Sequence, residues 1–105
     1  MSTGGLLQIT VVSAELTRDV ELFGKQDPYV IIHYMGVEQK TKVIEGGGKK
    51  PVWNETFEIP LQSVSDEIEF HCRDDDVMGS KPIGSTRIKG SALCYNNGVR
   101  DHFGL

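Results

Sequence analysis

Between Glu67 and Arg73 the side chains alternate without a break: Ile68, Phe70 and Cys72 are apolar, while Glu69, His71 and Arg73 are polar and titratable. Residues two apart share a face only in a β-strand, so this stretch fits a sheet with one face on a core and the other in water. A helix would spread the same residues around its circumference. The period of two recurs where Leu7, Ile9 and Val11 alternate with Gln8 and Thr10. It returns for Val30, Ile32 and Tyr34 against Ile31 and His33, and for Phe57, Ile59 and Leu61 against Glu58 and Pro60. A later strand is predicted near Ile83 to Ile88. Turn-forming clusters at Phe23-Gly24-Lys25, Met35-Gly36, Gly46-Gly47-Gly48, Met78-Gly79-Ser80 and Asn96-Asn97-Gly98 separate these runs. Short strands so punctuated describe an all-β antiparallel sandwich. The three-glycine loop reads as a simple connection.

The chain has 105 residues, the size of one domain, so residues 1 to 105 are expected to share a single core. With 38% hydrophobic and 25% charged residues the composition is that of a globular domain rather than a disordered segment. No apolar run approaches the roughly 20 residues of a membrane-spanning helix. Met1 to Gly5 carry neither a basic segment nor a long apolar stretch, and Ser2 follows Met1 where myristoylation needs glycine. A cytoplasmic location is the expectation. Two cysteines, Cys72 and Cys94, make no disulfide framework, and the alternation puts Cys72 on a buried face.

A net charge of −4 argues against nucleic acid as a partner. Its distribution says more. Acids gather at Asp19, Glu21 and Asp27 and at Asp74 to Asp76, whereas bases gather at Lys40, Lys42, Lys49 and Lys50. In the first acidic region Pro28 biases Asp27 toward an extended backbone, which aims its carboxylate away from the following strand. An aspartate there is either a turn residue or a ligand. In the second, strand periodicity turns Asp74 and Asp76 to one side and Asp75 to the other. Like charges about 5 Å apart repel by roughly 3 kcal/mol at an effective dielectric near 20. The run is either a solvated acidic turn or a cation site, and Ca²⁺ suits it because hard divalent cations take several oxygen ligands in flexible geometry. Leu22 and Phe23 flank the first cluster, and Val77 and Met78 the second. These apolar residues either tidy their loops or enter a lipid interface once the acids are neutralised.

Enzymatic motifs are missing from the sequence. His33, His71 and His102 are scattered, without the spacing of a zinc site. No Gly-x-Ser-x-Gly elbow occurs, and Gly46-Gly47-Gly48-Lys49-Lys50 has neither Walker spacing nor the following Ser or Thr. The expectation is a binding domain, not an enzyme.

Several segments in order resemble the C2 domain: Leu6 to Leu16, Gly24 to Val30 with Asp-Pro-Tyr-Val, Lys40 to Val43, Pro51 to Phe57, Asp74 to Asp76, and Ile83-Gly84. The layout is similar to small single-domain plant-type C2 proteins. The resemblance implies an eight-stranded antiparallel Greek-key β-sandwich whose apical loops bind Ca²⁺ and then anionic phospholipid membranes, as a peripheral membrane-targeting module. Carried over position by position, the ligands fall on Glu21, Asp27, Asp74 and Asp76, with the Asp75 backbone carbonyl as an auxiliary, and the membrane-touching tips on Leu22, Phe23, Val77 and Met78. Lys40, Lys42, Lys49 and Lys50 fall where the family carries a polybasic face for anionic lipid or a partner. Trp53 and Asn54 belong to its structural signature, with Trp53 expected near the sandwich edge.

The sequence departs from the family in three places. Glu21 stands where Asp is usual, and the remaining third-loop acid falls at Ser80 or Lys81, so one or two ions are expected rather than three. After Ile88 the segment Cys94 to Leu105 is short for two further strands, which points to a truncated sandwich, with a strand-completing dimer as one consequence. The alternative function is a C2 scaffold that binds a protein partner without Ca²⁺.

Overall fold

The computed structural model describes residues 5–16, 25–76 and 79–93, with the side chains of Asp76 and Leu93 left aside. Six strands follow in order: β1 (Gly5–Ser13), β2 (Pro28–Tyr34), β3 (Val37–Lys40), β4 (Val52–Leu61), β5 (Glu67–Asp76) and β6 (Gly79–Lys89). One helical turn, α1 (Gly90–Leu93), closes the described chain. β1 pairs with β4 in one sheet, and the order β3-β2-β5-β6 forms the other, with every pair antiparallel. The all-β antiparallel expectation holds, and the described residues supply six of the eight strands. The expectation about the Cys94 to Leu105 segment lies outside the described residues.

Strand alternation sorts the two faces as the sequence reading requires. Ile68, Phe70 and Cys72 of β5 are buried, while Glu69, His71 and Arg73 remain partly open to water. Across the ladder Ile68 faces Ile88 and Phe70 faces Ile32, so neighbouring strands add to the same inner surface. Ile9, Trp53, Ile59 and Leu61 close it from the other sheet. Burial pushes the Cys72 thiol up to about 11, which leaves it an inert apolar group near neutral pH. Trp53 lies within this core at 3% exposure rather than at the sandwich edge. Its indole Nε1 donates to the Pro28 carbonyl at 3.3 Å, so a β4 side chain fastens the first residue of β2. Met35 and Gly36 both take positive φ, 50° and 80°, which is the two-residue turn whose twist suits the β2–β3 hairpin.

The outer face of the larger sheet carries an arrangement that the scattered histidines concealed. Cross-strand register places His33 and Arg87 on either side of Glu69. His33 Nδ1 lies 3.0 Å from Glu69 Oε2, Arg87 Nε 3.0 Å from Oε1, and His71 Nε2 3.6 Å from Oε2. The His33 hydrogen bond, then that of His71 and the Arg87 charge, outweigh desolvation and hold the Glu69 carboxyl below its usual 4.5. A depressed folded-state value gives stability that is present above the unfolded value and lost as pH falls through the folded one. Glu69→Gln is therefore expected to flatten the fall of Tm on acidification below pH 4.5. Thermal unfolding of both proteins from pH 7 to about pH 3 checks this, and superimposable profiles would remove the role.

Candidate functional site

Asp27 joins three segments of one end of the sandwich. Pro28 fixes the start of β2, so the residue before it is extended and stands at the rim. The Asp27 amide donates to Asp74 Oδ1 at 2.6 Å, and its carbonyl accepts from the Asp75 amide at 3.0 Å. Its own carboxylate Oδ1 accepts from the Gly46 amide at 2.7 Å. The loops after β1, after β3 and at the end of β5 are thus tied through one residue.

The segment from Thr41 to Gly48 continues this contact along the start of β2. Thr41 exchanges two bonds with Val30: its amide donates to the Val30 carbonyl, and its hydroxyl accepts from the Val30 amide, both at 2.9 Å. The Ile44 amide donates to the Pro28 carbonyl at 3.1 Å, and the Gly48 amide to the Gln26 carbonyl at 3.0 Å. Gln26, fully buried, returns a bond from Nε2 to the Gly48 carbonyl at 2.9 Å. Gly48 sits at φ +62°, a conformation that disfavours side-chain-bearing residues. The three-glycine loop is therefore part of the site rather than a mere connection, a role its low complexity hid. Gln26 carries no sequence signal of its burial, since glutamine is mostly an exposed residue.

Asp74 lies fully buried at the end of β5, in phase with Ile68, Phe70 and Cys72. Asp75 is exposed on the opposite side, as strand periodicity requires. Arg73, also turned outward, donates from Nε to Ser80 Oγ at 2.7 Å and from Nη2 to the Ser80 carbonyl at 3.1 Å, which clamps the β5–β6 hairpin. Asp76 stands opposite Gly79 at the hairpin's end. Glu21, Leu22, Phe23, Val77 and Met78 lie outside the described residues. Lys40, Lys42, Lys49 and Lys50 are all exposed, on β3 and the loop that follows it.

The donors present suit a hard cation. Asp27 and Asp74 bring carboxylates from two neighbouring segments to one end of the sandwich, where the Asp27 amide, not its carboxylate, meets Asp74 Oδ1. Among the described residues no three of His, Cys, Asp and Glu gather around one ion position. A Ca²⁺ site of six to eight oxygens would therefore draw also on residues beyond these two, and the sequence offers Glu21 and Asp76.

An antiparallel sandwich that presents carboxylates from separate loops at one rim defines a loop-end binding module on a rigid scaffold. The chain belongs to the C2 domain family, whose profile matches residues 5–105. It is 36% identical over 104 residues to Synaptotagmin-5 of Arabidopsis thaliana, which covers 96% of this chain and 18% of that protein. It is 35% identical over 91 residues to an Arabidopsis thaliana protein named calcium-dependent lipid-binding protein, covering 85% of this chain and 18% of that one. The calcium-bound pair of C2 domains of Extended-Synaptotagmin 2 superposes with a TM-score of 0.76 at 25% identity, over 89% of this chain and 37% of that one. The chain thus spans under a fifth of either curated relative.

Proposed function

We propose that this domain binds anionic phospholipid membranes in response to Ca²⁺ and serves as a peripheral membrane-targeting module. The observation that carries the reading is the convergence of two acidic residues at one end of the sandwich, the Asp27 amide donating to Asp74 Oδ1 at 2.6 Å between the entrance of β2 and the end of β5. Asp27, Asp74 and Asp76 act as principal ligands, with Glu21 and the Asp75 carbonyl as auxiliaries. Leu22, Phe23, Val77 and Met78 enter the lipid interface. Lys40, Lys42, Lys49 and Lys50 face anionic headgroups, a contact worth about 1 kcal/mol per base near such a surface. Bound Ca²⁺ supplies local positive charge and open coordination for phosphate oxygens. Without it the acidic rim repels an anionic bilayer. The names of the calcium-dependent lipid-binding relative and of the calcium-bound structural neighbour support the reading. No described helix is long and apolar enough to cross a membrane.

Sedimentation with vesicles of phosphatidylcholine alone, or with added phosphatidylserine, tests it. Binding is expected only with phosphatidylserine and CaCl₂ together, and to be reversed by EGTA. Binding that ignores the chelator would overturn it in favour of a Ca²⁺-independent scaffold. That second reading is favoured by one observation: a lysine, Lys81, stands opposite Asp74 where the family's further acid is expected at Ser80 or Lys81.

A further inference from the structure

The register of the β5–β6 hairpin changes at one point. Up to Cys72 the pairs run Phe70 with Thr86 and Cys72 with Gly84; from Arg73 onward they run Arg73 with Pro82, Asp74 with Lys81 and Asp75 with Ser80. Ile83 is the extra residue of a β-bulge, and it is buried. Had the first register continued, Lys81 would face Asp75, whose side chain is exposed on the outer surface. The bulge instead sets Lys81 directly across from Asp74. Residues opposite one another in an antiparallel ladder share a face, with Cβ atoms about 4.5–5.5 Å apart. Bulges commonly re-aim a side chain in this manner.

Burial fits that placement. Asp74 is fully buried and Lys81 is half-buried, whereas Lys89 and Arg87 of the same strand are exposed. Arg73, the cation of β5, is engaged with Ser80 on the opposite side. A carboxylate removed from water is destabilised by several kcal/mol unless opposite charge or donors compensate it. The Asp27 amide supplies one donor, and Lys81 brings a full positive charge to the same face.

We infer that Lys81 is a built-in cation of the acidic hairpin, neutralising part of its charge in place of a second bound ion. The inference deepens the Ca²⁺ reading and rests on it only for its effect on metal affinity. The domain keeps its acidic end folded in the absence of metal, and it takes up fewer ions than its acids alone would allow. Lys81 is a positioning and charge-setting residue, not a ligand.

Thermal unfolding in EGTA and calorimetric titration with CaCl₂ test this on wild type, Lys81→Met, Lys81→Arg and the double variant Asp74→Asn/Lys81→Met. In EGTA, Lys81→Met is expected to melt at least about 5 °C below wild type, with Lys81→Arg within about 2 °C. The double variant recovers most of that loss, because the buried negative charge is gone. In CaCl₂, Lys81→Met binds at least about tenfold more tightly than wild type and gains more in Tm, since a repelling charge has left the site. Lys81→Met that melts with wild type in EGTA and binds Ca²⁺ no more tightly overturns the inference. If wild type takes up no Ca²⁺, the proposed function fails and the EGTA comparison alone decides the role of Lys81. If Lys81→Met does not fold, the double variant decides: recovery of folding supports the built-in cation, and failure to fold overturns it.

Discussion

Asp74→Asn is expected to abolish Ca²⁺-promoted sedimentation with phosphatidylserine vesicles while leaving the domain folded. Carboxamide and carboxylate share a shape, so the amide oxygen can still accept from the Asp27 amide, which now meets Asp74 Oδ1 at 2.6 Å. What disappears is one unit of negative charge at a fully buried position. A unit charge within about 5 Å of a divalent ion contributes about 6 kcal/mol of attraction at an effective dielectric near 20. Solvent and the remaining acids replace part of it, so a net loss of about 3 kcal/mol, or roughly 100-fold in Ca²⁺ affinity, is the expected size. Burying a neutral amide is less unfavourable than burying a carboxylate, so Tm in EGTA should not fall by more than a few degrees. Calorimetry with CaCl₂ and vesicle sedimentation read the two effects separately. Undiminished Ca²⁺ affinity in Asp74→Asn would place the ion elsewhere and remove Asp74 from the ligand set.

Ile68→Ala should cause the larger loss of stability. Ile68 is fully buried on the central strand β5, opposite Ile88, in a core closed by both sheets. Removing its three outer carbons forfeits their transfer from water and leaves a cavity that two hydrogen-bonded neighbouring strands prevent from collapsing. Such truncations cost about 2–5 kcal/mol, and the rigid surroundings point to about 4. Small domains are stable by only about 5–15 kcal/mol, so much of the margin goes and Tm drops by about 15–25 °C. Leu6→Ala is the control: at 64% exposure on β1 it should change stability by less than about 0.5 kcal/mol. Urea unfolding of both variants measures the difference. A loss below about 1 kcal/mol for Ile68→Ala would mean that β5 is not the centre of the cooperative unit.

The faces of the strands were legible because alternation is a local property. Ile68, Phe70 and Cys72 are apolar in a period that only a strand can use, and the same count put Asp74 and Asp76 on one side and Asp75 on the other. Pro28 restricted Asp27 for a reason equally local. From those positions the order of motifs carried the family resemblance, and with it the acidic end of the sandwich.

Pairing between distant segments was not legible in this way, because register depends on which strands meet and where a ladder slips by one residue. The triglycine loop showed only its low complexity in sequence, while in the fold the Gly46 amide reaches the Asp27 carboxylate and Gly48 holds buried Gln26. His33, Glu69 and Arg87 are far apart along the chain and become a single polar row through the order of three strands. The sequence by itself determined an all-β chain with Asp27 at a strand entrance and Asp74 and Asp75 on opposite faces. Only the tertiary structure decided that Asp27 and Asp74 meet, and that a bulge past Cys72 sets Lys81 against Asp74, because a one-residue shift in pairing leaves composition and periodicity unchanged yet reassigns every cross-strand neighbour beyond it.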